Sequence, residues 1–366
     1  MKQIEYFGFN SINNLEGILE NEKARRVFLV TGKESFKSCG AEERITRILT
    51  PYQSKRFTDF SPNPQEEQIE RGYKDFEKFN PDIILGVGGG SAIDVAKALK
   101  EFLFERKNKN IPLVAIPTTA GTGSEATHYI VYYSGKNKVS AGKPELTLPN
   151  YSICDPQFTL NLPKNVTAST GLDAFGQAVE SYWSIRATEK TKKIAGEAIT
   201  LVLNNLEEAV NQSSRNSRES MMKSANLSGK AIDLTLTTAC HAISYPFTSY
   251  FGIPHGHAVA LTLGSILVYN SEVNEKDCLD KRGASYVKKS IETINHLLGC
   301  RTAEESKKKI EQLMERIGMK TKLSELGLKE DDLDIIVKNG FNLERVKNNP
   351  RLLTEQNLRT LLKNIF

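Results

Sequence analysis

Short apolar runs, each followed by a turn and then by helical spacing, recur through the first half of the chain. Residues 27–30 (Val-Phe-Leu-Val), 82–85 (Asp-Ile-Ile-Leu) and 113–116 (Leu-Val-Ala-Ile) are continuously apolar or nearly so. That is the pattern of strands covered on both faces, whereas a half-exposed strand alternates. Residues 66–79 carry helical spacing and many charges. The alternation predicts an α/β, Rossmann-like domain with a mostly parallel sheet and helices on both sides. Residues 129–133 and 151–154 read as an added hairpin or edge.

After Asp155-Pro156 the pattern changes. Residues 162–171 form a loop rich in cap and breaker residues, and strand spacing then gives way to helical periodicity over 188–211, 217–237, 258–269, 287–298, 303–317 and 354–365. The expected organisation is an α/β domain over 1–157 and an all-helical domain over 158–366, with the functional site in the cleft between them.

Composition narrows the function without naming it. Charged residues make up 25% and hydrophobic residues 39% of the 366, ordinary values for a globular protein. The formal charge of +5 is mild, and no basic run is interleaved with aromatics, so a nucleic-acid surface is not expected. No apolar stretch is long enough for a membrane span, and the N-terminus lacks the apolar core of a signal peptide. Five cysteines without a CxxC pair fit a reducing cytoplasm. Cys240, beside His241, reads as a small buried hydrophobe.

Two glycine-rich turns carry the first chemistry. Gly86-Val-Gly88-Gly89-Gly90-Ser91 follows the 82–85 run, and Thr118-Thr119-Ala-Gly-Thr122-Gly-Ser follows the 113–116 run. Free N–H groups at a helix start bind phosphate, and glycine lets a pyrophosphate approach the backbone. Two such turns in one α/β half point to a dinucleotide. Gly88, Gly89, Gly90 and Ser91 are expected to line the pyrophosphate, with Thr118, Thr119 and Thr122 beside it and Asp94 and Lys97 along the same helix. An acidic residue after strand 27–30 would bind a ribose 2′-hydroxyl and repel a 2′-phosphate. Gly32 stands there and Lys33 follows, which favours NADPH, with NAD as the alternative.

The second chemistry lies further on. Of five histidines, His241 and His255 flank a segment that can be helical up to Pro246 and is then broken by Pro246, Gly252 and Pro254. A helix followed by a tight return brings two imidazoles to one point, and imidazole is a common metal ligand. Asp173 and Gln177, four apart on a predicted helix, share one face. Tyr245 shares a face with His241.

With these blocks in order, the chain resembles the iron-containing (group III) alcohol dehydrogenase family. The resemblance runs nearly the whole length. It includes Asp59-Phe-Ser-Pro-Asn63-Pro64, both glycine turns, Cys154-Asp-Pro156, Thr170-Gly-Leu-Asp173 and Pro254-His255-Gly256. Within that family, Glu180-Ser-Tyr-Trp-Ser184, His241-Ala-Ile-Ser-Tyr-Pro246 and His255-Gly-His257 are similar to the phosphonoacetaldehyde reductase branch, whose members make 2-hydroxyethylphosphonate.

The resemblance implies one divalent metal, iron or zinc, held at Asp173, Gln177, His241 and His255. The family carries histidine where this chain has Gln177, a neutral oxygen donor. Three-ligand catalytic sites are well established for zinc. The family also carries histidine at the position of Tyr245, where tyrosine can donate a proton to a nascent alkoxide. Asn63 lies in the segment resembling the adenine-side loop, and Lys138 matches a family lysine near the cofactor.

An anionic substrate needs cations or hydroxyls, for which Lys230, Arg186, Lys143, His257, Ser244 and Thr248 are candidates. Lys230 is expected on the helix that leads to His241, about three turns earlier. The expected reaction is metal-assisted, NAD(P)H-dependent reduction of a short anionic aldehyde, phosphonoacetaldehyde foremost, by a cytoplasmic homodimer. The alternatives are a general alcohol or diol dehydrogenase, a dehydroquinate-synthase-like lyase, and a homologue that binds nucleotide without catalysis.

Overall fold

The computed structural model describes residues 3–135 and 137–366. They divide into two compact units, one formed by residues up to Leu162 with Ser213–Met222, the other by Pro163–Gln212 with Lys223–Phe366.

The first unit is built on a six-stranded parallel sheet in the order β1-β8-β5-β4-β2-β3. Its strands are β1 (Ile4–Phe7), β2 (Arg26–Thr31), β3 (Gln53–Phe57), β4 (Ile83–Gly88), β5 (Leu113–Pro117) and β8 (Tyr151–Cys154). A separate antiparallel hairpin pairs β6 (Ile130–Ser134) with β7 (Asn137–Ala141). The helices here are α1 (Asn14–Asn21), α2 (Ser35–Ser38), α3 (Ala41–Ile48), α4 (Glu66–Phe79), α5 (Gly90–Lys107) and α6 (Pro144–Thr147).

Continuous apolar runs are needed because the sheet is packed on both sides. Val27, Leu29, Leu85 and Ile116 face a core completed by α1 and α3 through Leu15, Leu19 and Ile45. Phe28, Val30, Ile84 and Leu113 face the opposite core, completed by α4 and α5 through Phe76, Val95 and Leu99. Alternate residues of one strand thus serve two cores.

One expectation is corrected here. Residues 151–154 are not part of a hairpin or an edge: β8 is an interior strand between β1 and β5. The edges are β1 and β3, and β3 reads Gln-Ser-Lys-Arg-Phe, too polar to register as a strand by apolar pattern alone.

The second unit contains α7 (Lys164–Trp183), α8 (Glu189–Asn211), α10 (Ala239–Phe251), α11 (His255–Ser271), α12 (Ala284–Leu297), α13 (Ala303–Arg316), α14 (Asp332–Asn339), α15 (Leu343–Lys347) and α16 (Glu355–Lys363). The intervening α9 (Arg215–Thr235) contributes residues to both units. Two further expectations change. The helix carrying Lys230 ends at Thr235, Leu236 turns left-handed (φ 61°), and α10 begins afresh at Ala239, so Lys230 and His241 are on different helices. Pro246 does not end the His241 helix but lies inside α10. Proline forfeits one helical N–H bond, a loss that the surrounding packing tolerates here; the chain turns only at Gly252 (φ 69°), whose left-handed backbone closes the C-terminus.

Candidate functional site

In the first unit the two glycine turns meet. Strand register sets Gly88 opposite Pro117, so the chain leaves β4 and β5 at the same end of the sheet. Thr119 and Thr122 lie directly on the Gly89–Gly90 turn: a Cβ at Gly89 would stand 3.3 Å from Thr119 Oγ1, and one at Gly90 3.0 Å from Thr122 Cγ2. The amide of Thr118 donates to the Gly88 carbonyl (2.9 Å). Gly90 begins the eighteen-residue α5, whose N-terminal amides lack helical partners. Ser91 Oγ donates to the Pro62 carbonyl, tying the exposed Asn63 segment to this rim. The result is a backbone-lined cradle suited to a pyrophosphate.

Asp94 and Lys97 are not part of its surface, contrary to expectation. Lys97 is fully buried and donates to Ser124 Oγ (3.0 Å) and the Tyr129 carbonyl (2.9 Å). Asp94 accepts from Ser124 Oγ (2.6 Å) and the Val131 amide (3.2 Å). Burial drives the Asp94 carboxyl up, against the pull of Lys97 and, more weakly, Lys138 on β7. These side chains brace the second glycine turn and the hairpin from behind.

At the end of β2, the turn expected to meet the ribose carries a cation from the neighbouring strand. Arg56 donates to Thr31 Oγ1 (2.7 Å) and to the carbonyls of Gly32 and Lys33 (both 3.0 Å), and pairs with Glu42 at 3.2 Å. Nothing in the apolar pattern singled out Arg56.

In the second unit, α7, α10 and the start of α11 bring Asp173, His241 and His255 together. Their ligand atoms all lie within 4.8 Å of one another. His241 Nε2 is 3.3 Å and His255 Nε2 3.7 Å from Asp173 Oδ1, and the two imidazole rings are 5.4 Å apart at 70°. The approach depends on Gly256: a Cβ there would fall 1.9 Å from the Ser169 carbonyl, so only glycine lets α11 start against α7. One carboxylate and two imidazole nitrogens aimed at one point are a fitting donor set for a divalent metal.

The supporting shell is specific. Glu180 is fully buried and accepts from the Cys240 amide (2.6 Å), Thr238 Oγ1 (2.7 Å) and His241 Nδ1. Trp183 Nε1 in turn donates to Thr238 Oγ1 (2.8 Å). Burial opposes charging both members of the Glu180–His241 pair, yet the pairing prevails. It lowers the Glu180 carboxyl and raises the His241 imidazole, with Asp173 adding to the latter. Ser244 donates to the His241 carbonyl (2.7 Å) and stands 3.2 Å from His255 Nδ1. Glu180 is the functional residue the sequence reading missed as such, although 173, 177 and 180 share a helix face.

Gln177 is beside the cluster but differently engaged. Its carbonyl oxygen accepts from Ser228 Oγ (3.2 Å), and its NH2 donates to Asp173 Oδ2 (3.4 Å). In this arrangement its amide bridges Ser228 and Asp173 at the side of the cluster. The ring of Tyr245 lies 6.5 Å from that of His255, at an interplanar angle of 27°. Cys240 is wholly buried, and burial keeps its thiol well above its ordinary pKa.

The other substrate candidates fare unequally. Thr248, one turn beyond Tyr245, has a buried hydroxyl without a hydrogen-bond partner among the described residues. His257 points elsewhere: it bonds the Lys320 carbonyl through Nε2 (2.7 Å), and burial lowers its pKa. Lys143 is on the surface of the first unit, paired with Glu105 at 2.6 Å. Arg186 is exposed and Lys230 half-buried.

Residues 3–156 match the iron-containing alcohol dehydrogenase family, and residues 167–366 match the C-terminal domain of the Fe-containing alcohol dehydrogenase family. The phosphonoacetaldehyde reductase of Streptomyces viridochromogenes is 28% identical, over 97% of this chain and 94% of that protein. Aldehyde-alcohol dehydrogenase 2 of Entamoeba histolytica is 31% identical over 72% of this chain, which spans only 33% of that longer protein. Among solved structures, the sulfoacetaldehyde reductase of Bifidobacterium kashiwanohense in complex with NAD+ superposes with a TM-score of 0.87, at 29% identity, over 99% of this chain and 96% of that one. The class these observations define is an oxidoreductase interconverting aldehydes and alcohols. The chain belongs to the iron-containing alcohol dehydrogenase family.

Proposed function

We propose that this enzyme reduces a short aldehyde bearing an oxyanion on the neighbouring carbon, phosphonoacetaldehyde in the first instance, to the corresponding alcohol. It does so with NADPH and one divalent metal, iron or zinc, in the cytoplasm. The observation that carries the proposal is the convergence of Asp173, His241 and His255 beside Tyr245. Its setting is a chain similar along nearly its full length to reductases of phosphonoacetaldehyde and sulfoacetaldehyde.

When bound, a divalent metal supplies Lewis acidity toward the carbonyl oxygen and reduced nicotinamide supplies the hydride. Asp173, His241 and His255 hold the metal, with Glu180 and Ser244 fixing the two imidazoles from behind. The Tyr245 phenol donates the proton that completes the alcohol. The Gly88–Ser91 turn and Thr118, Thr119 and Thr122 hold the pyrophosphate. Gly32 and Lys33 admit a 2′-phosphate, which favours NADPH. NADH is the rival donor, since the solved sulfoacetaldehyde reductase holds NAD+.

The test is steady-state reduction of phosphonoacetaldehyde, sulfoacetaldehyde, propanal and glyceraldehyde, each with NADPH and NADH, before and after chelation. The expected result is a kcat/KM at least about tenfold higher for the anionic aldehydes, activity lost on chelation, and restoration by iron or zinc. Preference for propanal would overturn the substrate assignment, and full activity in chelator the metal.

A further inference from the structure

Arg345 is more than nine-tenths buried, an unusual place for a guanidinium. Buried arginines are ordinarily matched by a carboxylate, because an unpaired charge removed from water is costly. Here Nη1 donates to Thr237 Oγ1, and among the described residues no carboxylate comes within ion-pair reach. The Cζ atom stands 5.8 Å from the centroid of the Tyr245 ring, which itself stacks beside His255. One turn further along α10, the Thr248 hydroxyl is buried without a partner among the described residues. A buried guanidinium without a carboxylate partner thus stands beside the ring of Tyr245, whose helix also carries the unpartnered Thr248 hydroxyl.

We propose that Arg345 is the residue that recognises the oxyanion of the substrate, a phosphonate or sulfonate one carbon away from the reacting carbonyl, with Thr248 assisting. The inference rests on the reading of this protein as a reductase of short anionic aldehydes. A tetrahedral oxyanion gives the planar guanidinium the partner that the fold withholds, through charge-assisted hydrogen bonds that neutral aldehydes cannot form. A site built around a buried charge thus favours a substrate that pairs it over one that leaves it unpaired. The same logic makes the residue a burden in the ligand-free protein, where its charge is uncompensated.

The test uses the metal-loaded enzyme and the variants Arg345→Met and Arg345→Lys. In Arg345→Met, KM for phosphonoacetaldehyde and sulfoacetaldehyde is expected to rise about tenfold or more, while kcat/KM for propanal changes less than about threefold. Arg345→Lys, which keeps the charge but loses the planar fork, is expected to fall between. A second readout needs no turnover. The product anions 2-hydroxyethylphosphonate and 2-hydroxyethanesulfonate are expected to raise the melting temperature of the wild type but not of Arg345→Met. That variant, freed of a buried charge, is expected to melt no lower than the wild type without ligand.

Equal losses on anionic and neutral aldehydes, or a product-induced shift retained in Arg345→Met, would overturn the assignment. If the wild type itself prefers propanal, the substrate reading has failed. If the wild type prefers the anionic aldehydes and Arg345→Met keeps that preference, only the role of Arg345 has failed. The ratio between the phosphonate and sulfonate arms in the wild type identifies which oxyanion the pocket favours.

Discussion

Glu180 grips His241 from behind: the carboxylate takes Nδ1 of the imidazole, leaving Nε2 directed at Asp173. With Nδ1 protonated, the Nε2 lone pair is the one presented to a metal. Glu180→Gln keeps the shape and can still accept from Thr238 and Cys240, but its NH2 then faces Nδ1 and pushes the ring proton to Nε2. Metal affinity is expected to fall about 10- to 100-fold, measured by competition with a chromophoric chelator. Wild-type affinity in this variant would show that the carboxylate does not set the tautomer. Because Glu180 and Asp173 also hold a proton on His241 above its ordinary range, metal affinity should decline on acidification sooner than an unperturbed histidine would dictate.

Gln177 lies beside the cluster, with its NH2 3.4 Å from Asp173 Oδ2. Its amide is held between Ser228 and Asp173, so Gln177→Ala should leave metal affinity within about threefold of wild type. Gln177→His puts an imidazole one turn from Asp173 and is expected to tighten metal binding about tenfold or more. A large loss of metal in Gln177→Ala would instead make the glutamine a ligand.

The proposed proton donor is the Tyr245 phenol. Tyr245→Phe keeps the ring beside His255 and removes only the phenol. The kcat for aldehyde reduction should drop about 100-fold or more, with metal content unchanged by elemental analysis. An unaltered kcat would assign the proton to solvent.

How much of this was legible varied with the physics of each segment. β4, β5 and their glycine turns stood out because strands packed on both faces must be continuously apolar. β1 and β3 did not, since edge strands expose one side, and without them β8 looked peripheral. The break between α9 and α10 was hidden because it turns on a single left-handed residue, Leu236, which has no glycine signature. Pro246 misled in the other direction, since a helix buried among others survives a proline that would end an isolated one. Asp173, His241 and His255 were legible as residues, but their convergence depends on Gly256 and packing. Arg345 could not be found from spacing at all, because its partner Thr237 is 108 positions away.

Arg56 predicts how the dinucleotide is chosen. Its guanidinium caps the Gly32 and Lys33 carbonyls at the end of β2, with Glu42 as counter-ion. A ribose 2′-phosphate arriving at that turn competes with Glu42 for the arginine. Arg56→Ala should weaken NADPH binding about tenfold with little effect on NADH, and Glu42→Gln should strengthen NADPH binding. Nicotinamide fluorescence titrations read both. High salt should weaken NADPH binding more than NADH binding, since the pair is partly exposed. Equal weakening of both nucleotides in Arg56→Ala would reduce the residue to a brace for the turn.

Lys100 tests the energetics of the first unit away from any chemistry. It lies on α5, 1% exposed, with Nζ on Asn150 Oδ1 at 2.7 Å. Burial lowers its pKa from 10.5 to about 8, with Glu22 only partly opposing. Below about pH 8 the lysine is charged in both folded and unfolded chains, and the folded state bears the full desolvation cost. Between about 8 and 10.5 the unfolded chain holds a proton that the folded one has released, so this group makes stability rise with pH across that window. Lys100→Met should therefore stabilise the protein near pH 7 by on the order of 2–3 kcal/mol. Asn150 keeps the Leu113 amide as a partner in that variant. Urea unfolding at a series of pH values should show the advantage of Lys100→Met constant below pH 8 and dwindling toward pH 10, whereas parallel curves would mean that the buried amine is solvated better than its surroundings imply.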